Sequence, residues 1–176
     1  MTLAFANARG NQNHVVIGLL AKAGGIDPKG LKLVVFGSGG EGATAVLGGH
    51  VDVLVGTPAT ALPHAQGGRT RILGVAAPER QKSAAFATVP TFREQGIDVV
   101  YYSWRGMAGA KGLTRQQVAF WEQAFAKIMQ DEEWKKDIEK NSWVEDYRGS
   151  EATRKHLDSE FELLSRALVD LGVISR

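Results

Sequence analysis

Residues 31–64, LKLVVFGSGGEGATAVLGGHVDVLVGTPATALPH, decide the fold. An apolar run, Leu31 to Phe36, reads as a buried strand. A glycine-rich turn follows, then a short helix from Gly40 to Leu47 that stops at Gly48–Gly49. Val51 to Val55 reads as a second strand. Thr57 and Pro58 open another helix, with Pro58 at the first helical position, where a missing N–H is harmless. This is a βαβ unit followed by one more helix, and in open α/β sheets ligands gather on the loops beyond the strand ends.

Gly37, Gly39 and Gly42 satisfy G-x-G-x-x-G directly after a strand, the pattern of a dinucleotide site. That pattern also needs an acidic residue at the end of the next strand to hold a ribose. Here the next strand ends in Gly56–Thr57, and Asp52 stands at its beginning, the wrong end of the sheet. The Gly-Lys-Ser/Thr ending of a phosphate loop is absent. The backbone N–H groups of Ser38 to Gly42 remain, at a helix N-terminus suited to a carboxylate or a phosphate. A tight turn without a ligand accounts for the same residues.

Upstream, Leu3 to Ala6 reads as a short buried strand. The polar loop Asn7 to Asn13 leads into a helix from about Asn13 to Ala23, with Val16, Leu19, Leu20 and Ala23 at helical spacing. Asn11 or Asn13 can cap it, and Gly24–Gly25 ends it. Downstream, Pro63 distorts the helix opened by Pro58. Arg71 to Ala76 reads as a further strand, and Pro90 to Gln95 as a short helix closed by Gly96. The texture changes after Tyr101. Two extended pieces, Asp98–Tyr102 and Trp104–Ala108, precede three helices. Thr114 and Gln117 form a capping box, and Asp131 and Ser150 open the next two helices. Leu157, Phe161, Leu164, Leu168 and Leu171 form an amphipathic stripe. Burying each large apolar side chain stabilises by roughly 1.5–3 kcal/mol, so the stripe is expected to be covered.

Composition narrows the function. The chain has 176 residues, 44% hydrophobic and 23% charged, with a net charge of +2. Those values fit a soluble globular chain and argue against a nucleic-acid partner, since basic and acidic residues are interleaved. No cysteine is present, which removes disulfides, thiolate metal sites and a cysteine nucleophile. No apolar run reaches the roughly 20 residues of a membrane span. MTLAFANARG lacks the basic leader of a signal peptide. The histidines, His14, His50, His64 and His156, show no metal-ligand spacing, and no nucleophile stands with a base. Neither an enzyme, a metal nor a cofactor is expected.

The segments GNQNH, LLAKAGGIDPKGLKLVVFGSGGEGATAVLGGHVDV, ALPH-x-x-GG-x-x-RILGVAAPER, VPTFREQGIDVV and SWRGMAGAKGLT lie in order along the chain. Together they resemble the substrate-binding receptors of tripartite tricarboxylate transporters, the Bug-type periplasmic family. The resemblance implies an α/β, periplasmic-binding-protein-like (type II) open-sheet domain over residues 1–101. Residues 102–176 would then supply a strand and helices of an incomplete first domain. It implies an N-terminally truncated chain, with the export signal upstream. Its partners would be a small carboxylate ligand and membrane permease subunits.

The resemblance also implies a ligand site. The loop Ala8, Arg9, Gly10, Asn11, Gln12, Asn13 and His14 matches the family's carboxylate-receiving loop, though it is bulkier than usual. Arg9 can pair with a carboxylate bidentately or be a solvated surface arginine. Asn11, Gln12 and Asn13 offer donors, and helix capping needs only one of them. Ser38, Gly39 and Gly40 match a second binding turn. Gly56 and Thr57 stand where many members have aspartate and asparagine, which points away from a ligand ammonium and toward plain di- or tricarboxylates. Trp104 and Arg105 lie at the return crossover, where Trp104 is expected to pack rather than touch ligand. Two other functions are weighed: an oligomerising interaction module that forms a homodimer through its uncovered stripe, and a nucleotide-binding enzyme domain using Gly37–Gly42.

Overall fold

In the computed structural model, which describes residues 1–81 and 83–175, a three-stranded parallel sheet forms the framework. Its order is β2-β1-β3, with β1 Thr2–Ala6 between β2 Lys32–Phe36 and β3 Val53–Leu54. The register sets Ala6 opposite Phe36 and Ala4 opposite both Val34 and Leu54. The last three residues of β1, Ala4–Ala6, are fully or nearly fully buried, as expected for a central parallel strand covered on both faces. Ala4, Ala45 and Val51 form a core cluster, with Val34, Phe36, Val46 and Leu54 packed on it.

Each strand feeds a helix: α1 Gln12–Ala23, α2 Gly39–Leu47 and α3 Pro58–Gln66. Asn11 caps α1 and Ser38 caps α2 through side-chain oxygens. Thr57 occupies the N-cap of α3 without a side-chain cap bond, and Pro63 is accommodated inside the helix. The third strand is shorter than Val51–Val55. Val51 is buried but lies outside the ladder, and the Asp52 carboxylate accepts the Thr2 N–H at 2.5 Å. Asp52 thereby closes the N-terminal edge of the sheet, away from the glycine-rich turn.

The strand expected at Arg71–Ala76 is not formed as a ladder. A single parallel bridge joins Val75 to Thr91, flanked by Val75 N–H to Pro90 O and Phe92 N–H to Val75 O. Pro90 has no N–H to extend the pairing, and Leu73 is exposed. The helix expected at Pro90–Gln95 contracts to a 3-10 turn, Arg93–Gln95, closed by left-handed Gly96. Glu94 anchors this turn by accepting the Thr91 N–H at 2.8 Å and Arg80 Nε at 2.8 Å.

The chain divides into two compact units, one of Met1–Ser103 with Leu164–Arg176, the other of Trp104–Leu163. Of the expected extended pieces, 98–102 lies in the first unit and 104–108 in the second, and neither pairs with a strand among the described residues. Instead Trp104 meets His156 edge-on and the Arg105 guanidinium lies 5.1 Å over Trp143, both aromatic contacts that fix the segment without a sheet. The helices are α4 Arg115–Ile128, α5 Glu132–Lys140 and α6 Ser150–Asp170. The Thr114–Gln117 capping box and the Asp131 cap are both present. The stripe of α6 is covered only toward its end. Leu171, just beyond the helix, is buried, whereas Leu157 and Phe161 are exposed, Phe161 by 73%.

Candidate functional site

The C-terminal edge of the sheet gathers three loops, because β1, β2 and β3 all run the same way. The β1–α1 loop is tied to β2 by Asn7 N–H to Phe36 O at 2.8 Å, with Asn7 in the left-handed region at φ 76°. The β2–α2 turn meets α3: a Cβ at Gly39 would lie 2.8 Å from Thr60 Oγ1. Only glycine permits that approach without displacing Thr60. Three helix N-termini therefore open on one edge, each carrying positive partial charge and unbonded N–H groups. The donors without a partner among the described residues are Gln12 and Asn13 of α1, Gly39 and Gly40 of α2, and Ala59 of α3.

The residues of the β1–α1 loop have different duties. Asn11 donates from Nδ2 to Ala6 O at 2.6 Å while its Oδ1 accepts the His14 N–H at 3.1 Å. His14 is buried, stacked on Phe5 at 4.8 Å between ring centres. Its Nδ1 accepts the Gly10 N–H at 2.9 Å, which places the ring proton on Nε2. Burial lowers its pKa, and the charge of Arg9 lowers it further. Gly10, at φ 85°, turns toward Leu168 and Val173, where a Cβ would sit 3.3 Å from each. Asn11, Gly10 and His14 thus shape the loop. Ala8, Arg9 and Gln12 are exposed and Asn13 is half-buried. Arg9 makes no ion pair among the described residues.

In the second turn, Ser38 caps α2, and Gly39 and Gly40 keep open N–H groups. The Thr57 hydroxyl is 3.4 Å from that of Thr60. One residue there escaped the sequence reading. The Glu41 carboxylate accepts the Gly37 N–H at 3.1 Å and the Ser38 hydroxyl at 3.3 Å, while Ser38 Oγ accepts the Glu41 N–H at 3.2 Å. The signal was available: Ser38-Gly39-Gly40-Glu41 has the spacing of a capping box. Among the described residues no group of three or more acidic or histidine side chains could hold a metal ion.

The open parallel α/β framework with convergent helix N-termini is periplasmic-binding-protein-like in fold. A crystal structure of a TctC solute-binding protein from Polaromonas, without ligand, shares this fold at a TM-score of 0.72 and 21% identity, over 94% of this chain and 56% of that one. The model of the tripartite tricarboxylate transporter family receptors matches residues 4–169, and the chain belongs to that family. A curated relative, the "UPF0065 protein in gbd 5'region" of Cupriavidus necator, is 36% identical over 100 residues, 57% of this chain and 30% of the relative. The chain therefore spans about half of the solved structure and under a third of the curated relative.

Proposed function

We propose that this chain is part of a periplasmic solute receptor that binds small organic carboxylates and delivers them to the permease subunits of a tripartite transporter. The observation that carries the reading is the convergence of three helix N-termini on one sheet edge, with five backbone donors that have no partner among the described residues. Such an edge holds an anion through fixed partial charges and needs few charged side chains. Ala8, Arg9, Gly10, Asn11, Gln12, Asn13 and His14 form one wall, with Gln12 and Asn13 presenting N–H groups and Arg9 a guanidinium. Ser38, Gly39 and Gly40 form the second, and Thr57 borders the third. We assign the unit built on the sheet to the receptor's second domain and Trp104–Leu163 to its first. Closure of the whole receptor around the anion would present a surface to the permease.

The test is thermal unfolding of the chain with citrate, malate, succinate, glutamate, nicotinate and NAD. A ligand at about 100 times its Kd adds roughly 2.7 kcal/mol, a shift of several degrees for a chain of this size. A shift with a carboxylate and none with NAD supports the reading. No shift with any carboxylate overturns it for this chain.

A second reading, association with another copy of the chain, is favoured by the exposure of Met107, Phe120 and Phe161, at 81%, 64% and 73%. Apolar side chains so placed drive association when they merge into a patch.

A further inference from the structure

His14 is the one buried ionisable side chain among the described residues, and it holds the loop that precedes its own helix. The segment Ala8–Gly10 is fixed at both ends. At one end the Asn7 N–H donates to Phe36 O at 2.8 Å, and at the other the Asn11 side-chain nitrogen donates to Ala6 O at 2.6 Å. Between them the Gly10 N–H reaches inward and donates to His14 Nδ1 at 2.9 Å. The ring has no room to swing aside: it lies on Phe5 with 10° between the planes, and both side chains are buried. Gly10 in turn lies against Leu168 and Val173.

We infer that the Gly10–His14 pair is a protonation latch: a proton on Nδ1 releases residues 8–10 and uncovers Leu168 and Val173 while the sheet stays folded. The bond needs the Nδ1 lone pair. An imidazolium carries a proton on both nitrogens, so two N–H groups would face each other across 2.9 Å and one must leave. The loop is the side that yields, because Ala8 and Arg9 are exposed whereas the ring is packed. Repulsion acts in the same direction. β1 carries no ionisable side chain, and besides His14 α1 carries only Lys22, which pairs with Asp170 of α6. The 3-10 turn Pro28–Gly30, packed on α1, brings Lys29 with Asp27 at its cap, and the end of α6 brings Arg166 and Asp170. Arg9, on the loop itself, is the charge that acts on the imidazole, and a positive His14 pushes it outward. Burial and Arg9 hold His14 below the ordinary histidine value while the loop is closed. Opening lets water reach Nδ1 and returns the ring toward that value, so acid favours the open loop. Asn7 stands at the hinge in the left-handed region, which asparagine visits more readily than most residues.

The experiment follows the whole isotope-labelled chain by NMR between about pH 7.5 and about pH 4.5. Ring-nitrogen shifts report the protonation of His14, amide exchange reports the Gly10 bond, and methyl shifts report Leu168 and Val173. Exchange is referred to the intrinsic rate at each pH. Protection of the Gly10 N–H is expected to fall by about tenfold per pH unit below the ordinary histidine value, with the Leu168 and Val173 shifts following it. The Val15 N–H, bonded to Asn11 O at 3.0 Å, and the Val55 N–H, bonded to Ala4 O at 2.8 Å, are expected to stay protected. His14→Gln, which cannot titrate, should show the same Gly10 protection at both ends of the range. Gly10 protection that does not change with pH in the unaltered chain overturns the latch, as does an equal fall in His14→Gln. Loss of protection at Gly10, Val15 and Val55 together also overturns it, because that is unfolding of the unit and not release of a loop. If His14→Gln fails to fold by far-UV circular dichroism, the unaltered chain alone decides, since each of the three readouts is made on it.

Discussion

Asn11 does two jobs with one amide: its oxygen caps α1 and its nitrogen ties the loop back to the end of β1. Asn11→Ala removes both, and the loss is expected to be about 1–2 kcal/mol of unfolding free energy, read by urea titration. His14 is linked to pH. Its pKa is lowered in the folded chain by burial and by Arg9, so the unfolded chain binds its proton more readily. The stabilisation by neutral His14 is present in full above the ordinary histidine range and falls away as pH drops through that range toward the lowered value. Stability should therefore decline between about pH 7 and 5. His14→Leu should flatten that part of the profile, and should leave the Gly10 N–H unpaired at a cost of about 1–3 kcal/mol. A cap was legible at Asn11 or Asn13 because Asn before an apolar-periodic run announces one, and the structure uses Asn11. The histidine was legible only as a neighbour of a polar loop, since stacking on Phe5 depends on β1 and α1 meeting in space. Glu41 lay within a readable four-residue pattern that the glycine motif around it obscured.

At the scale of elements, capping chemistry and periodicity carried most of the reading. The α4 and α5 starts stand where Thr114 and Asp131 predict them, and of the two caps weighed for α1, Asn11 and Asn13, Asn11 is the one used, because a cap is a local hydrogen bond. The β-pieces after Thr70 were not legible to the same degree. A strand is stabilised by its partner, and Val75 finds only Thr91. The start of α6 shows a non-local device. Glu122 of α4 accepts the Ser150 N–H at 2.5 Å, and the Tyr147 hydroxyl donates to Glu122 O at 2.8 Å. That bond from Ser150 holds the Glu122 carboxyl below its ordinary pKa. Glu122→Ala should speed amide hydrogen exchange in the first turn of α6 and leave α5 unchanged, read residue by residue by NMR. Gly18 in α1 lies against Leu171, where a Cβ would sit 3.0 Å from Leu171 Cγ. Gly18→Val overfills this contact and is expected to lower stability by about 1–3 kcal/mol, measured by thermal unfolding.

For the whole molecule, the α/β class and the central place of the residue 31–64 stretch were legible. The return of Leu164–Arg176 to the unit built on the sheet was not. Nothing in an amphipathic stripe says which surface will receive it, and here Leu171 is covered while Phe161 remains in solvent. Size-exclusion chromatography with light scattering should show mass rising with protein concentration, and Phe161→Ser with Phe120→Ser should return it to the monomer value. The sheet order also sets a timetable. β1 emerges from the ribosome before both of its neighbours, and the central strand has no partner until Phe36 has been made. At about 5–20 residues per second that is a wait on the order of seconds. The seal over Gly10 and Gly18 comes from Leu168, Leu171 and Val173, far along the chain from the residues they cover. This unit closes only after the long segment between α1 and the end of α6 has been made, so until then the nascent chain remains open to chaperones and proteases.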